Sequence, residues 1–99
     1  MGYIKTYKNG DRAGTFSQIN FDNGEKIFIS IAQNGVKISK IGFFSFPSKT
    51  IWQTNNLDEA FQIFMNGNYT NPLELLDSII NKLIECNSTE EVKTILNKN

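Results

Sequence analysis

The sequence predicts an α+β fold: an antiparallel β-meander of four or five strands, followed by three short helices packed on one face of the sheet. Asn-Gly dipeptides begin at Asn9, Asn23 and Asn34, between runs rich in β-branched and aromatic residues. Such dipeptides favour two-residue hairpin turns, because both central residues need positive φ. After Trp52 the apolar spacing changes from every second residue to about every 3.6 residues, which is typical of helices.

These turns divide the first half of the chain into four strands, and a fifth follows a turn at a proline. The predicted strands are Gly2–Lys8, Asp11–Asp22, Glu25–Gln33, Val36–Phe46 and Lys49–Thr54. Alternation in the third strand places Ile27, Ile29 and Ile31 on one face, which we expect to be the core. The apolar pattern of the fourth strand changes phase near Ser39-Lys40, and a β-bulge there would restore it.

Three helices are expected in residues 55–99, each beginning at a side chain that can cap it. Asn56, Asn71 and Ser88 are the expected caps, because their oxygens can accept hydrogen bonds from first-turn amides. Pro72 fits the first helical position, and Gly67 fits the left-handed residue that ends the first helix. We therefore predict one domain over residues 1–99, with a meander at 1–54 and a helical part at 55–99.

The formal net charge is +0, but the charges are unevenly placed along the chain. Residues 1–54 contain 7 Lys and Arg against 3 Asp and Glu, and residues 55–99 contain 3 against 7. This layout predicts a basic sheet and an acidic helical part.

The composition argues against catalytic chemistry. Histidine is absent and Cys86 is the single cysteine, so the usual general base, His-paired nucleophiles and zinc sets are missing. No Asp-rich calcium loop and no glycine-rich phosphate loop occurs. One cysteine fits a reducing compartment, and no apolar run suits a signal peptide or a membrane span. We expect a non-enzymatic cytoplasmic protein with no metal, no cofactor and no membrane contact.

The first hairpin carries a mixture of rings and cations. A two-residue turn at Asn9-Gly10 would pair Tyr7 with Arg12 and Tyr3 with Phe16. One face then presents Tyr3, Lys5, Tyr7 and Arg12. Aromatic rings beside cations bind single-stranded nucleic acid with little sequence preference. Lys26, Lys37 and Trp52 are expected to assist such binding.

The face opposite the isoleucines suggests a different function. It should present Phe28, Phe44 and, in one register of the second strand, Ile19 and Phe21. If that face stays open, it is a site for a protein partner or for self-association. The alternatives are a sheet that curls into a small barrel, and a small-molecule pocket between sheet and helices lined by phenylalanines and Trp52.

The first functional hypothesis is a non-enzymatic protein that binds another protein through the open sheet face or an edge strand. The alternative is a single-stranded nucleic-acid-binding module that uses the aromatic and basic face. The candidate binding residues are Tyr3, Lys5, Tyr7, Arg12, Lys26, Phe28, Lys37 and Trp52.

Overall fold

A computed structural model describes residues 2–7, 15–32, 34–42, 47–68 and 71–97, with side chains for 15–32, 34–42, 49–68 and 71–97. The strands are β1 (Gly2–Tyr7), β2 (Thr15–Phe21), β3 (Lys26–Ala32), β4 (Gly35–Ile41) and β5 (Pro47–Thr54). The helices are α1 (Leu57–Met65), α2 (Pro72–Leu83) and α3 (Thr89–Leu96). The sheet is antiparallel in the order β1-β2-β3-β4-β5, with β1 and β5 as its edges in the described residues. The predicted α+β meander is confirmed, and the sheet is open rather than barrel-shaped.

The helices cover the isoleucine face of the sheet, and the prediction that this face forms the core is confirmed. Ile27, Ile29 and Ile31 are at most 1% exposed and pack in one cluster with apolar residues of all three helices. The residues of α2 in this cluster are Leu75, Leu76, Ile79, Ile80 and Leu83. Burial of each such side chain contributes about 1.5–3 kcal/mol, so this layer holds the two halves of the chain together.

All three predicted helix starts are confirmed. Asn56 and Asn71 each accept a first-turn amide hydrogen bond at 2.9 Å, and Ser88 accepts one at 3.2 Å. The first helix ends at Met65, its C-cap Asn66 has φ 54°, and Gly67 follows with φ 83°. These caps satisfy amides that helix geometry leaves without a partner, which is why local sequence locates the helix starts so well.

The second turn is one residue longer than predicted. The Phe21 amide donates to the Glu25 carbonyl at 2.8 Å, and the Gly24 amide donates to the Phe21 carbonyl at 3.0 Å. Gly24, with φ 92°, supplies the left-handed residue that three-residue hairpin loops require. The extra residue moves the register by one, so Ile19 and Phe21 lie in the core. The register that would have placed them on the opposite face is wrong.

The third turn lies one residue earlier than predicted, because Ala32 pairs with Gly35, which was expected to be in the turn. Gly35 belongs to β4, and its φ is 154°. A Cβ atom there would lie 2.1 Å from the Thr54 carbonyl oxygen. Glycine is therefore required by the close approach of β5 rather than by the turn.

The predicted bulge is at the right place along β4 but in the wrong strand. Pairing of β3 with β4 is continuous, whereas the β4–β5 register shifts at Ile38/Ser39 and again at Lys40/Ile41. The unpaired extra residues are Ser48 and Ile51, both in β5. The expected turn at Pro47-Ser48 is consequently wrong, since β5 begins at Pro47.

Candidate binding face of the sheet

The sheet face that points away from the helices is formed by rows of residues that run across the strands. Because directly paired residues share a face, two rows cross all five strands. One row is Tyr7, Phe16, Ser30, Lys37 and Gln53, and the next is Lys5, Gln18, Phe28, Ser39 and Thr50. A partial row adds Tyr3, Asn20 and Lys26. We call these thirteen positions the outer face.

The structure changes the pairing predicted for the first hairpin. Tyr7 pairs with Phe16 and Tyr3 with Asn20, so the expected Tyr7–Arg12 and Tyr3–Phe16 pairs are wrong. Arg12 and the turn at Asn9-Gly10 lie outside the described residues. The new register differs from the predicted one by an even number of residues. Tyr3, Lys5 and Tyr7 therefore keep register positions on one face, as expected.

An aromatic pair lies near the middle of the outer face. The Phe16 and Phe28 ring centroids are 5.5 Å apart with an interplanar angle of 33°. Both rings are half-buried, and each is followed across the sheet by a serine. Beside them, the Gln18 amide donates to Asn20 Oδ1 at 2.7 Å. The face therefore has an apolar centre with hydrogen-bonding groups around it.

The charges on the outer face have a single sign. Lys26 and Lys37 are exposed, Lys5 has a register position on the same face, and none of the thirteen positions is Asp or Glu. The helical part carries most of the acids: Asp58, Glu59, Glu74, Asp77, Glu85, Glu90 and Glu91. The uneven distribution of charge along the sequence thus places basic residues on the outer face and most acidic residues in the helical layer.

Trp52 is not part of the outer face. Its ring meets Phe64 of α1 at 5.8 Å between centroids in an edge-to-face contact, and it packs against the core cluster. Its position follows from its pairing with Ile38, a buried core residue of β4, and the neighbouring Ile51 also packs against the core cluster. The structure therefore groups Phe28, Lys26 and Lys37 with the β1 positions, and separates Trp52 from them. Phe44 lies outside the described residues.

Sequence reasoning missed a carboxylate that joins the sheet to α3. Glu25 accepts hydrogen bonds from the Thr89 hydroxyl at 2.7 Å, the Thr89 amide at 3.2 Å and the Asn23 side chain at 2.6 Å. Its Oε2 also lies 3.0 Å from Lys40 Nζ. Bonds from Thr89, Asn23 and Lys40 lower the pKa of Glu25 to about 2. The sequence feature that could have indicated this carboxylate is Lys40, because it is a charged residue at a position where strand alternation predicts an apolar one.

Cys86 is the remaining reactive side chain, and its surroundings suppress its reactivity. The thiol is buried in the segment between α2 and α3, and burial together with Glu91 and Glu85 raises its pKa. Since the thiolate is the nucleophilic form, this position keeps the sulfur as an inert thiol.

Within the described ranges, no group of three or more His, Cys, Asp or Glu side chains is placed to hold a metal ion. The longest described helix has 12 residues, and none of the described helices is long and apolar enough to cross a membrane. A scan against protein-family models, a search of curated proteins and a search of solved structures each returned no match for this chain.

Proposed function

We propose that this chain is a non-enzymatic cytoplasmic binding protein that uses its outer face to contact another protein with an acidic surface. The observation that carries the proposal is the Phe16–Phe28 pair, framed by uncharged polar groups and by Lys26 and Lys37. Protein interfaces commonly have an aromatic centre and a polar rim, and a rim of one sign selects partners of the other.

The packing of the two rings favours a protein partner over a nucleic acid. Phe16 and Phe28 lie against each other at 33° and are each half-buried, so neither offers a fully open ring face for a base. Their exposed edges suit side chains that fill the space around a hydrophobic anchor. The acidic helical layer lies behind the sheet, where it would not oppose an acidic partner.

The test reverses charge on the outer face and compares it with the same change elsewhere. Lys26→Glu combined with Lys37→Glu should abolish retention of partner protein from cell extract, whereas Lys82→Glu on α2 should preserve it. Size-exclusion chromatography with light scattering reports self-association in the same samples. A strictly monomeric wild-type protein that retains no partner would contradict the proposal.

Single-stranded nucleic acid is the second candidate ligand, and the β1 register favours it. Tyr3, Lys5 and Tyr7 occupy positions beside Asn20, Gln18 and Phe16, which adds two tyrosines and a cation to the outer face. Rings next to cations form a stacking surface that tracks a phosphate backbone.

Fluorescence anisotropy with a labelled oligonucleotide at two salt concentrations tests this candidate. Affinity should fall as salt rises, because phosphate contacts release counterions. Tyr7→Ala should weaken binding, with Leu73→Ala on the surface of α2 as the control. Absence of binding at low salt would exclude nucleic acid and leave the protein partner.

A further inference from the structure

A small cleft opens between α3 and the β5 edge of the sheet, and Thr50 is the one outer-face position in its lining. It has a volume of about 90 Å³ and lies where β4 and β5 meet the start of α3. Its lining residues are Lys40, Lys49, Thr50, Ile51, Thr89, Glu90 and Lys93. We call it the lysine cleft.

Two irregularities of β5 flank two of the three lysines of the cleft, Lys40 and Lys49. Lys40 and Lys49 are paired directly across neighbouring strands, and a register shift lies on either side of this pair. Like charges at directly opposed positions destabilise a sheet. Bulges re-aim side chains and are over-represented beside functional sites. The direct pairing of Lys40 with Lys49 therefore costs stability, and a local feature that costs stability is typical of a binding site.

The carboxylates nearby do not neutralise all three lysines. Glu25 lies 3.0 Å from Lys40, but both of its oxygens also accept hydrogen bonds from Thr89 or Asn23. In the part of the chain that is described, Lys49 and Lys93 form no ion pair with a carboxylate. Glu90 is the single acid in the lining, so the cleft keeps an excess of positive charge.

We propose that the lysine cleft binds a compact oxyanion of the phosphate type between Lys49 and Lys93, with Lys40 behind them. Lysine is a flexible point charge that suits phosphate groups. About 90 Å³ exceeds the roughly 10–15 Å³ that one water needs, so several non-hydrogen atoms fit. An anion there would also relieve the repulsion between Lys40 and Lys49.

Inorganic phosphate is the probe, compared with sodium chloride at equal ionic strength. Phosphate should raise the melting temperature of the full chain, because a ligand that binds only the folded state stabilises it. Lys49→Gln and Lys93→Gln should each lower phosphate affinity by about tenfold or more in calorimetric titration, since one charge-assisted hydrogen bond contributes about 1.5–3 kcal/mol. Lys82→Gln, a matched change on the exposed surface of α2, should leave phosphate affinity unchanged.

A structural role for these lysines predicts a different result. With no phosphate present, Lys49→Gln should be at least as stable as the wild type, because it removes the repulsion with Lys40. Loss of stability in Lys49→Gln and in Lys93→Gln without phosphate would overturn the proposal. An equal melting shift in chloride, or an equal loss of affinity in Lys82→Gln, would also overturn it.

A second probe separates the sources of the phosphate group. Pyrophosphate should bind more tightly than phosphate if the cleft receives the end of a larger phosphorylated molecule, and equally if it receives the free ion. Both results require the Lys49 and Lys93 side chains. Binding of either anion that survives both substitutions would refute the site.

Discussion

The two faces of β3 differ in burial and in the function that we assign to them. Ile27, Ile29 and Ile31 point toward the helices and are at most 1% exposed. Between them, Phe28 and Ser30 are half-buried on the outer face. The inner face supplies apolar area for the core, and the outer face of β3 leaves Lys26 exposed and Ser30 partly exposed. Stability and recognition are therefore encoded at alternate positions of the same strand.

Polar groups differ between the faces in the same way. On the helix side, Glu25 and Thr89 are linked by hydrogen bonds across 64 residues of sequence. Among the described side chains, no buried polar atom lacks a hydrogen-bond partner. On the outer face, Lys26 and Lys37 are exposed and add charge without organising the fold. Removal of a polar group should therefore affect stability on one face and binding on the other.

The largest effect is expected from substitutions that compare adjacent residues of β3. Ile29→Ala should lower the free energy of unfolding by about 2–5 kcal/mol, because it leaves a cavity at a fully buried position. Phe28→Ala, one residue away, should cost less, since the Phe28 ring is only half-buried. Urea denaturation of both variants measures the difference. Equal losses would mean that the outer face contributes as much to stability as the core.

A smaller effect is expected from the link between the sheet and α3. The pKa of Glu25 is lowered to about 2 from an ordinary 4.5, so its ionised form stabilises the folded state above pH 4.5. This contribution is lost as the pH falls from 4.5 toward 2. Allowing for solvent screening, Glu25→Gln should cost about 1–2 kcal/mol at pH 7 and little near pH 2.

Urea denaturation at several pH values measures the Glu25 contribution. Thr89→Ala, which removes the hydroxyl donor but keeps the amide, should reduce the same pH dependence in part. If Glu25→Gln lowers stability equally at pH 7 and pH 2, the ionised carboxylate is not the source of the stabilisation.

The smallest effect on stability is expected on the outer face. Lys37→Gln should change the free energy of unfolding by no more than about 0.5 kcal/mol, as is usual for exposed residues outside a packed network. Denaturant titration of this variant beside Ile29→Ala would define the difference between the faces. A loss above about 1 kcal/mol would show that the outer face has a structural role as well.

The sequence alone was sufficient to predict features in which the residues of one short segment form the hydrogen bonds of that segment's own backbone. The caps at Asn56, Asn71 and Ser88 were predictable, because each side chain bonds to an amide two or three residues away. The isoleucine face of β3 was also predictable, since alternation within a strand needs no knowledge of its partners. The placement of Phe28 opposite the isoleucines followed from the same alternation, whereas its grouping with the β1 positions depends on the register between strands.

Tertiary structure decided the features that depend on two segments meeting. An Asn-Gly dipeptide indicates a turn but not its length, and the added residue before Gly24 moved Ile19 into the core. The bulges lie in β5, whose register depends on both β4 and the helices, and Trp52 lies against α1 because it pairs with the buried Ile38. The bonds from Thr89 to Glu25 span most of the chain. Sequence alone thus determined the strands, the helix starts and the alternation within each strand, because these depend on interactions within a few residues. Register and the lysine cleft required the folded chain, because long-range packing chooses among turns that are locally almost equivalent.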